Sequence, residues 1–280
     1  MILIADSGAT KTDWRLEDNE KKIHQFRSKG IYPFIQNTNE IADFVKVDIA
    51  SKINNLDVNE VFYYGTGCSS EENKNTVRKA LSANFPNANI TVNHDLLGAA
   101  RSLCQHDAGI AAILGTGSNS CFYDGENIIE NVPSLGYILG DEGSGAHIGK
   151  KFLKHYFEKE LPKDIYELFA NTYHLSNEIF LDNVYGKPFA NRYLASFVPF
   201  LLRHREHPFI ANLIYDSFTD FFNYQVCKYS KHTEVITHFT GSVAFYFSDI
   251  LRQAASNKSI RIGTITESPI AGLTLFHCGE

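Results

Sequence analysis

The chain has 280 residues, of which 44% are hydrophobic and 21% charged, with a formal net charge of −6; this composition supports about two ordinary packed domains and excludes a disordered chain. No basic run exceeds a few residues, which disfavours delocalised nucleic-acid binding, because that needs clustered Lys and Arg to neutralise phosphates. The apolar runs fall far short of the ~20 residues that span a bilayer, so no membrane partner is expected.

In chain order, residues 1–5, 13–17 and 21–28 read as three strands joined by short turns, an antiparallel opening. A helix follows over 39–53, with Ile41, Phe44, Val45, Val47 and Ile49 on a mixed apolar face. Residues 60–64 form a strand that ends at Gly65-Thr66-Gly67. A helix over 71–84 stops before Pro86, a strand runs over 89–93, and a short helix covers 95–104. His106-Asp107-Ala108-Gly109 is the boundary between a first domain, 1–108, and a second, 109–280. The second domain repeats the opening: strands over 109–114, 120–123 and 126–129, the last two joined by the hairpin signal Asp124-Gly125. Residues 142–230 read as largely helical, an insertion rich in Phe, Tyr and Leu at three-to-four spacing, whose aromatic residues form a helical core or a dimer surface. Order then returns to α/β, with a strand over 234–240, a turn at Gly241-Ser242, a helix over 243–255 and a strand over 259–265. The closing 269–277 is apolar enough to pack, but its periodicity does not select helix or strand.

Cys68, Cys104, Cys121, Cys227 and Cys278 are odd in number, scattered, and form no CxxC. They read as free thiols, with neither a zinc site nor a cluster, and point to a reducing cytoplasm. Met1 leads directly into a strand, without a basic leader or a cleavage site, which gives the same expectation. The eleven histidines contain no HxxxH or HExxH spacing, so no metal set is expected of them.

Two short turns carry the chemistry. Asp6-Ser7-Gly8-Ala9-Thr10-Lys11-Thr12 follows the apolar run Ile2-Leu3-Ile4-Ala5, and Gly115-Thr116-Gly117-Ser118 follows Ile110-Ala111-Ala112-Ile113-Leu114. Turns of this kind offer backbone N–H groups and hydroxyls to a small anion, because glycine lets the chain approach without a Cβ. One in each half suggests a phosphate chain held from both sides.

Taken with Leu139-Gly140-Asp141-Glu142-Gly143-Ser144 and Thr240-Gly241-Ser242-Val243-Ala244, these turns make four motifs in order. Together they resemble the BadF/BadG/BcrA/BcrD-type ATPase family, in particular its N-acetylglucosamine kinase branch, within the actin, heat-shock-70 and sugar-kinase superfamily. The resemblance spans essentially the whole chain. It implies an α/β fold of two ribonuclease-H-like (actin-like ATPase) domains, mixed sheets flanked by helices, closing on a nucleotide in the interdomain cleft. It also implies ATP, Mg²⁺ and phosphoryl transfer to a hydroxyl of an amino sugar, most readily N-acetylglucosamine.

The roles carry over residue by residue. Asp6 would hold Mg²⁺, usually through water because that ion dehydrates reluctantly, with Gly8, Thr10 and Lys11 near the terminal phosphates. Gly115, Thr116, Gly117 and Ser118 would bind phosphate from the second domain. Gly241 and Ser242, between a strand and a helix, would meet the adenosine half. Asn119, Asp141 and Ser134 would bind the sugar. Asp95, where a strand gives way to a helix, is the candidate base, since an acceptor hydroxyl needs a carboxylate to orient it and take its proton; His94 is the nearest substitute. Each residue also has a plain structural reading: a side chain closing its own turn for Asp6, a helix N-cap for Asp95 and Asp141, a turn residue for Asn119.

Two stretches depart from the family pattern. Where an Asn-bearing sugar loop is expected, the chain reads Gly30-Ile31-Tyr32-Pro33-Phe34, with no Asn before Asn37. Where glycines followed by Trp often stand, it reads Pro133-Ser134-Leu135-Gly136-Tyr137. Phosphoryl transfer is therefore a firmer expectation than the identity of the sugar. Two other readings remain open: an ATPase that activates a partner enzyme, and a catalytically weak sugar sensor. A homodimer is the expected assembly, on the prevalence of that state.

Overall fold

The computed structural model describes residues 1–8, 11–53 and 57–279, and its chain divides into two compact units. The first comprises Met1–Asp107, Gly125–Asn127 and Ser268–Glu280, and the second Ala108–Asp124 and Ile128–Glu267.

In the first unit, β1 (Ile2–Ser7), β2 (Lys11–Glu17), β3 (Ile23–Lys29), β4 (Glu60–Gly65) and β5 (Asn89–His94) form one sheet in the order β3-β2-β1-β4-β5. β1, β2 and β3 pair antiparallel, whereas β4 and β5 run parallel to β1. Parallel neighbours need crossover helices, and α1 (Thr38–Asp48), α2 (Glu71–Asn84) and α3 (Asp95–Cys104) lie in sequence between or after them. Their starts are chemically marked. Asn37 and Glu40 cap α1 reciprocally, and the Ser70 side chain accepts the Asn73 N–H at the head of α2. α1 ends at Asp48, earlier than its apolar pattern suggests, and a short turn of tighter helix covers Ala50–Lys52.

One face of this sheet packs Leu3, Trp14, Val61, Tyr63 and Val92 against Ile41, Val45, Val77 and Leu81 of α1 and α2. On the other face, Ile4 and Tyr64 pack against Ile270 and Leu273 of α13 (Ile270–Cys278). The last helix thus belongs with the first sheet, although 109–280 reads along the sequence as one domain. Gly272 permits the docking: a Cβ there would stand 2.3 Å from the Ser102 carbonyl oxygen on α3. At the junction Ser102 Oγ donates to the Pro269 carbonyl (2.7 Å) and Gln105 Nε2 donates to the Gly272 carbonyl (3.1 Å).

The second unit has the same topology. β6 (Gly109–Leu114), β7 (Ser118–Tyr123), β8 (Ile128–Glu130), β9 (Thr237–Thr240) and β10 (Ile262–Thr266) are ordered β10-β9-β6-β7-β8. β6 and β7 pair antiparallel, as do β7 and β8; β9 and β10 run parallel to β6. The repeat expected from the two opening turns is therefore real at the level of topology, and the two mixed five-stranded sheets flanked by helices give the expected fold class.

Between β8 and β9 come α4 (Gly136–Leu139), α5 (Gly145–Phe157), α6 (Lys163–Tyr173), α7 (Asn177–Leu181), α8 (Ala190–Ala195), α9 (Val198–Arg203) and α10 (Pro208–Tyr224). Phe197, Phe200, Phe218, Phe221 and Phe222 lie in one buried cluster with Phe152 and Phe169, while Tyr224 is exposed. Most of the aromatic residues noted in the sequence are thus core. Past β9, the helix read over 243–255 is broken at Phe247 into α11 (Ser242–Tyr246) and α12 (Ser248–Ser256). No helix among the described residues is long and apolar enough to cross a membrane.

Candidate active site

In the first unit the strand ends bring the acidic residues together. Asp6, near the end of β1, lies opposite Asp13 on β2, and the parallel pairing with β4 and β5 carries His94 and Asp95 to the same end of the sheet. The turn is short: the Gly8 N–H donates to the Lys11 carbonyl at 3.0 Å. Beneath it the Ser7 and Thr12 hydroxyls share a hydrogen bond of 2.7 Å, and the Ile31 N–H donates to Ser7 Oγ at 3.2 Å. Thr10 lies outside the described residues.

Asp6 keeps an edge open to solvent but sits deep among protein atoms. Burial, with the nearby charges of Asp95 and Asp13, pushes its carboxyl up to about 7, against a weak bond from Ser268. Burial also raises Asp95, opposed by His94, the Leu96 N–H and Thr66. Asp13 has the opposite balance. Burial would raise it, but Arg27 (2.8 Å) and Lys11 (3.1 Å) outweigh that and hold it below the usual carboxylate range. Two unpaired carboxyls with raised proton affinity therefore stand beside one that two cations neutralise. Asp95 is the first residue of α3 and not its cap: His94 Nδ1 accepts the Leu97 N–H instead. Its carboxylate is thereby left to Thr66 and its own helix start.

Asp6 is also the residue to test against a metal ion. Among the described residues no three His, Cys, Asp or Glu side chains converge closely enough to hold one. A single buried, proton-hungry carboxyl fits Mg²⁺, which keeps several waters and takes its remaining contacts from phosphates.

In the second unit the turn between β6 and β7 is pinned to the start of α5. The Gly145 N–H donates to the Gly115 carbonyl (2.8 Å) and the Ala146 N–H to the Thr116 carbonyl (3.0 Å). Asp141 lies against this turn, accepting from the Ser118 N–H (3.3 Å) and from Ser134 Oγ (3.1 Å). Its backbone φ of +57° is the left-handed conformation that non-glycine residues seldom adopt, and a Cβ on Gly117 would fall 2.9 Å from its Oδ2. Ser144, not Asp141, caps α5. Burial raises the Asp141 carboxyl, while Ser118, Ser134 and Lys150 counter it. Gly115, Thr116, Gly117, Ser118, Ser134 and Asp141 are thus gathered into one constellation.

Asn119 begins one residue further along β7. Its Oδ1 accepts from the Ser120 N–H (2.9 Å) and from Asn131 Nδ2 (3.1 Å), which leaves its amide N–H₂ as the donor of the side chain. Gly241 sits against the same turn. Its φ is +114°, and a Cβ there would come within 2.3 Å of the Leu114 carbonyl oxygen, so no other residue fits. Ser242 follows as the first residue of α11 and borders a cavity of about 220 Å³ that reaches Gly115 and Thr116.

Several partners of these residues carry no mark in the sequence. Lys150 Nζ donates to the Tyr137 carbonyl (2.8 Å), tying the Ser134–Asp141 loop to α5. Asn131 sets the Asn119 amide, and Thr66 and Ser268 meet Asp95 and Asp6. No local pattern marks these long-range partners. Arg27 is different, since the β2–β3 hairpin register places it opposite Asp13. Asn37, the first Asn of the divergent loop, is committed to capping α1.

No family model matches the chain, and no curated protein matches it either. Among solved structures, a candidate N-acetylglucosamine kinase from Porphyromonas gingivalis is 40% identical over 99% of this chain and 98% of its own, with a TM-score of 0.94. A candidate N-acetylglucosamine kinase from Chromobacterium violaceum shares 16% identity over 98% of both chains (TM-score 0.70). A ROK family glucokinase from Streptomyces griseus, solved with glucose and AMPPNP, shares 16% over 98% of this chain and 97% of its own (TM-score 0.58). The last two show the fold alone. The first, 40% identical over almost the whole of both chains, shows the family: the chain belongs to the N-acetylglucosamine-kinase-like family, with the actin-like sugar-kinase fold.

Proposed function

We propose that the protein is an ATP-dependent sugar kinase that transfers the γ-phosphoryl group to a hydroxyl of an amino sugar, with N-acetylglucosamine the preferred acceptor. The observation that carries this reading is Asp95, a carboxyl raised in proton affinity by burial and placed where a strand meets a helix. A base of this kind takes the acceptor proton as the new O–P bond forms, and its raised pKa brings it nearer the working pH.

The other roles follow from the two constellations. In the first unit, Gly8, Thr10 and Lys11 would bind phosphate through the Lys11 ammonium and the Thr10 hydroxyl; in the second, Gly115, Thr116, Gly117 and Ser118 would do so through the Thr116 hydroxyl and the turn N–H groups not already bonded within the protein. Mg²⁺, held through Asp6, would neutralise charge on the transferring phosphoryl group. Asn119 donates its amide to a sugar hydroxyl, and Asp141, with Ser134 bonded to it, accepts from others. Ser242, Gly241 and the adjoining cavity take the nucleoside.

Substitution Asp95→Asn removes the proton acceptor and keeps the shape. Turnover should fall about 10²–10⁴-fold while nucleotide still binds; steady-state kinetics with calorimetric titration of ADP measure both. Near-full turnover in that variant would move the base elsewhere, with His94 next in position.

A further inference from the structure

The cavity beside Gly115 and Ser242 is distinctive for what lines it. Ala195 of α8, Val198, Pro199 and Leu202 of α9, and Val243 and Phe247 of α11 and its end form an aliphatic and aromatic wall. The polar side chains on its rim are the hydroxyls of Thr116, Ser242 and Tyr246, and the Tyr246 hydroxyl donates to Glu267 at 3.1 Å. Among the described residues, no carboxylate, carboxamide or cationic side chain lines it.

We infer that this cavity holds the purine of the phosphoryl donor by shape and burial and does not read its 6-position, so that the protein accepts purine nucleotides as a class. The inference rests on the kinase reading and narrows its donor. Adenine and hypoxanthine differ in an exocyclic amino group against an oxo group and in the protonation of N1. A hydroxyl both donates and accepts, so Ser242 can turn to meet either pattern. Strong discrimination, about 10⁴–10⁵-fold, arises where fixed hydrogen-bonding groups would be left unpaired by the wrong ligand; an apolar pocket rejects a near-isostere by only about 10²-fold. Guanine adds a 2-amino group and hence bulk, so it is the weaker purine. Pyrimidines cover less of the wall and are weaker still.

The test uses the full chain with Mg²⁺ and measures displacement of a fluorescent ADP by ADP, IDP and pyrophosphate. The expected result is ADP and IDP within ~100-fold of each other, both at least tenfold tighter than pyrophosphate. Discrimination of ADP over IDP beyond that limit overturns the inference and leaves the kinase reading standing. Equal binding of all three shows that the cavity holds no base, and overturns the inference alone. Binding of none of them overturns both. Substitution Val198→Phe, which fills the cavity from α9, should weaken ADP and IDP together by more than tenfold and leave pyrophosphate unchanged. Should that variant not fold, the comparison of ADP with IDP on the unaltered chain decides the matter by itself.

Discussion

At the scale of the residue, the site is governed by how burial is or is not compensated. Asp6, Asp13 and Asp95 share one sheet end, yet of the three Asp13 is the one held in ion pairs, with Lys11 and Arg27, while burial raises Asp6 to about 7 and raises Asp95 as well. For Asp6 the folded pKa lies above the unfolded one. Its stabilising contribution is therefore complete below pH ~4 and is lost as pH rises through 7. Without a divalent cation, Asp6→Asn should raise Tm by roughly 5 °C at pH 8 and by much less at pH 5. The same substitution should remove any Mg²⁺-dependent rise in Tm in the presence of ADP. A melt series across pH checks both, and a variant that loses stability equally at the two pH values would deny Asp6 this role.

Lys150 makes a second residue-scale case. Its bond to the Tyr137 carbonyl fixes the loop that carries Ser134 and Asp141, so it acts through position. For Lys150→Met the sugar KM should rise about tenfold and ADP affinity should change far less, because the loop with the proposed acceptor contacts is loosened while the β6–β7 turn stays pinned to α5 through Gly115 and Thr116. Initial rates over a sugar titration read this directly. A loss confined to ADP affinity would contradict it.

Among the elements, α13 shows what a linear pattern hides. Ile270 and Leu273 are buried while Leu275 is 61% exposed, and the segment is apolar on every side, so no period separates helix from strand. Its docking is chemical as well as apolar. His277 stacks on Phe62 with ring centroids 3.8 Å apart, and its Nε2 meets the Tyr64 hydroxyl at 2.8 Å, to which Arg101 also donates at 2.9 Å. Burial, and then the Arg101 charge, depress His277 to about 4. It is therefore neutral in the fold, and its contribution is full above pH ~6.5 and lost as pH falls toward 4. Protection factors of the amides over residues 270–278 should fall as pH drops from 6.5 to 4, and His277→Gln should abolish that fall. An unchanged profile in the variant would place the acid sensitivity elsewhere. Other elements were legible for plain reasons. The bounds of α2 and α3 read correctly because Ser70, with Glu71 and Glu72, marks a start and Pro86 a stop, while a strand ending feeds Asp95. By contrast, the apolar pattern carries α1 too far, because Ile49 and Ile53 continue it where the backbone leaves the helix at Asp48.

For the molecule as a whole, the legible feature was repetition. The order strand, glycine turn, strand, hairpin, strand recurs at Ile2 and at Gly109, and the two sheets have identical strand orders. The return of the last helix to the first unit had no signal, because contacts between α3 and α13 join residues more than 160 positions apart. Likewise the motifs named Asp95, Asp141, Ser118 and Asn119, but not the partners that hold them, Thr66, Lys150 and Asn131, each of which comes from another element. The central claim is phosphoryl transfer to a sugar, and one assay addresses it most directly. ADP release and sugar phosphate are followed together with Mg-ATP and N-acetylglucosamine, N-acetylmannosamine, glucosamine or glucose, and with no acceptor. The account predicts ADP in equal amount with a phosphorylated N-acetylated sugar, N-acetylglucosamine foremost, and negligible ADP without acceptor. ADP released at the same rate with no sugar present, and no sugar phosphate formed, would contradict it.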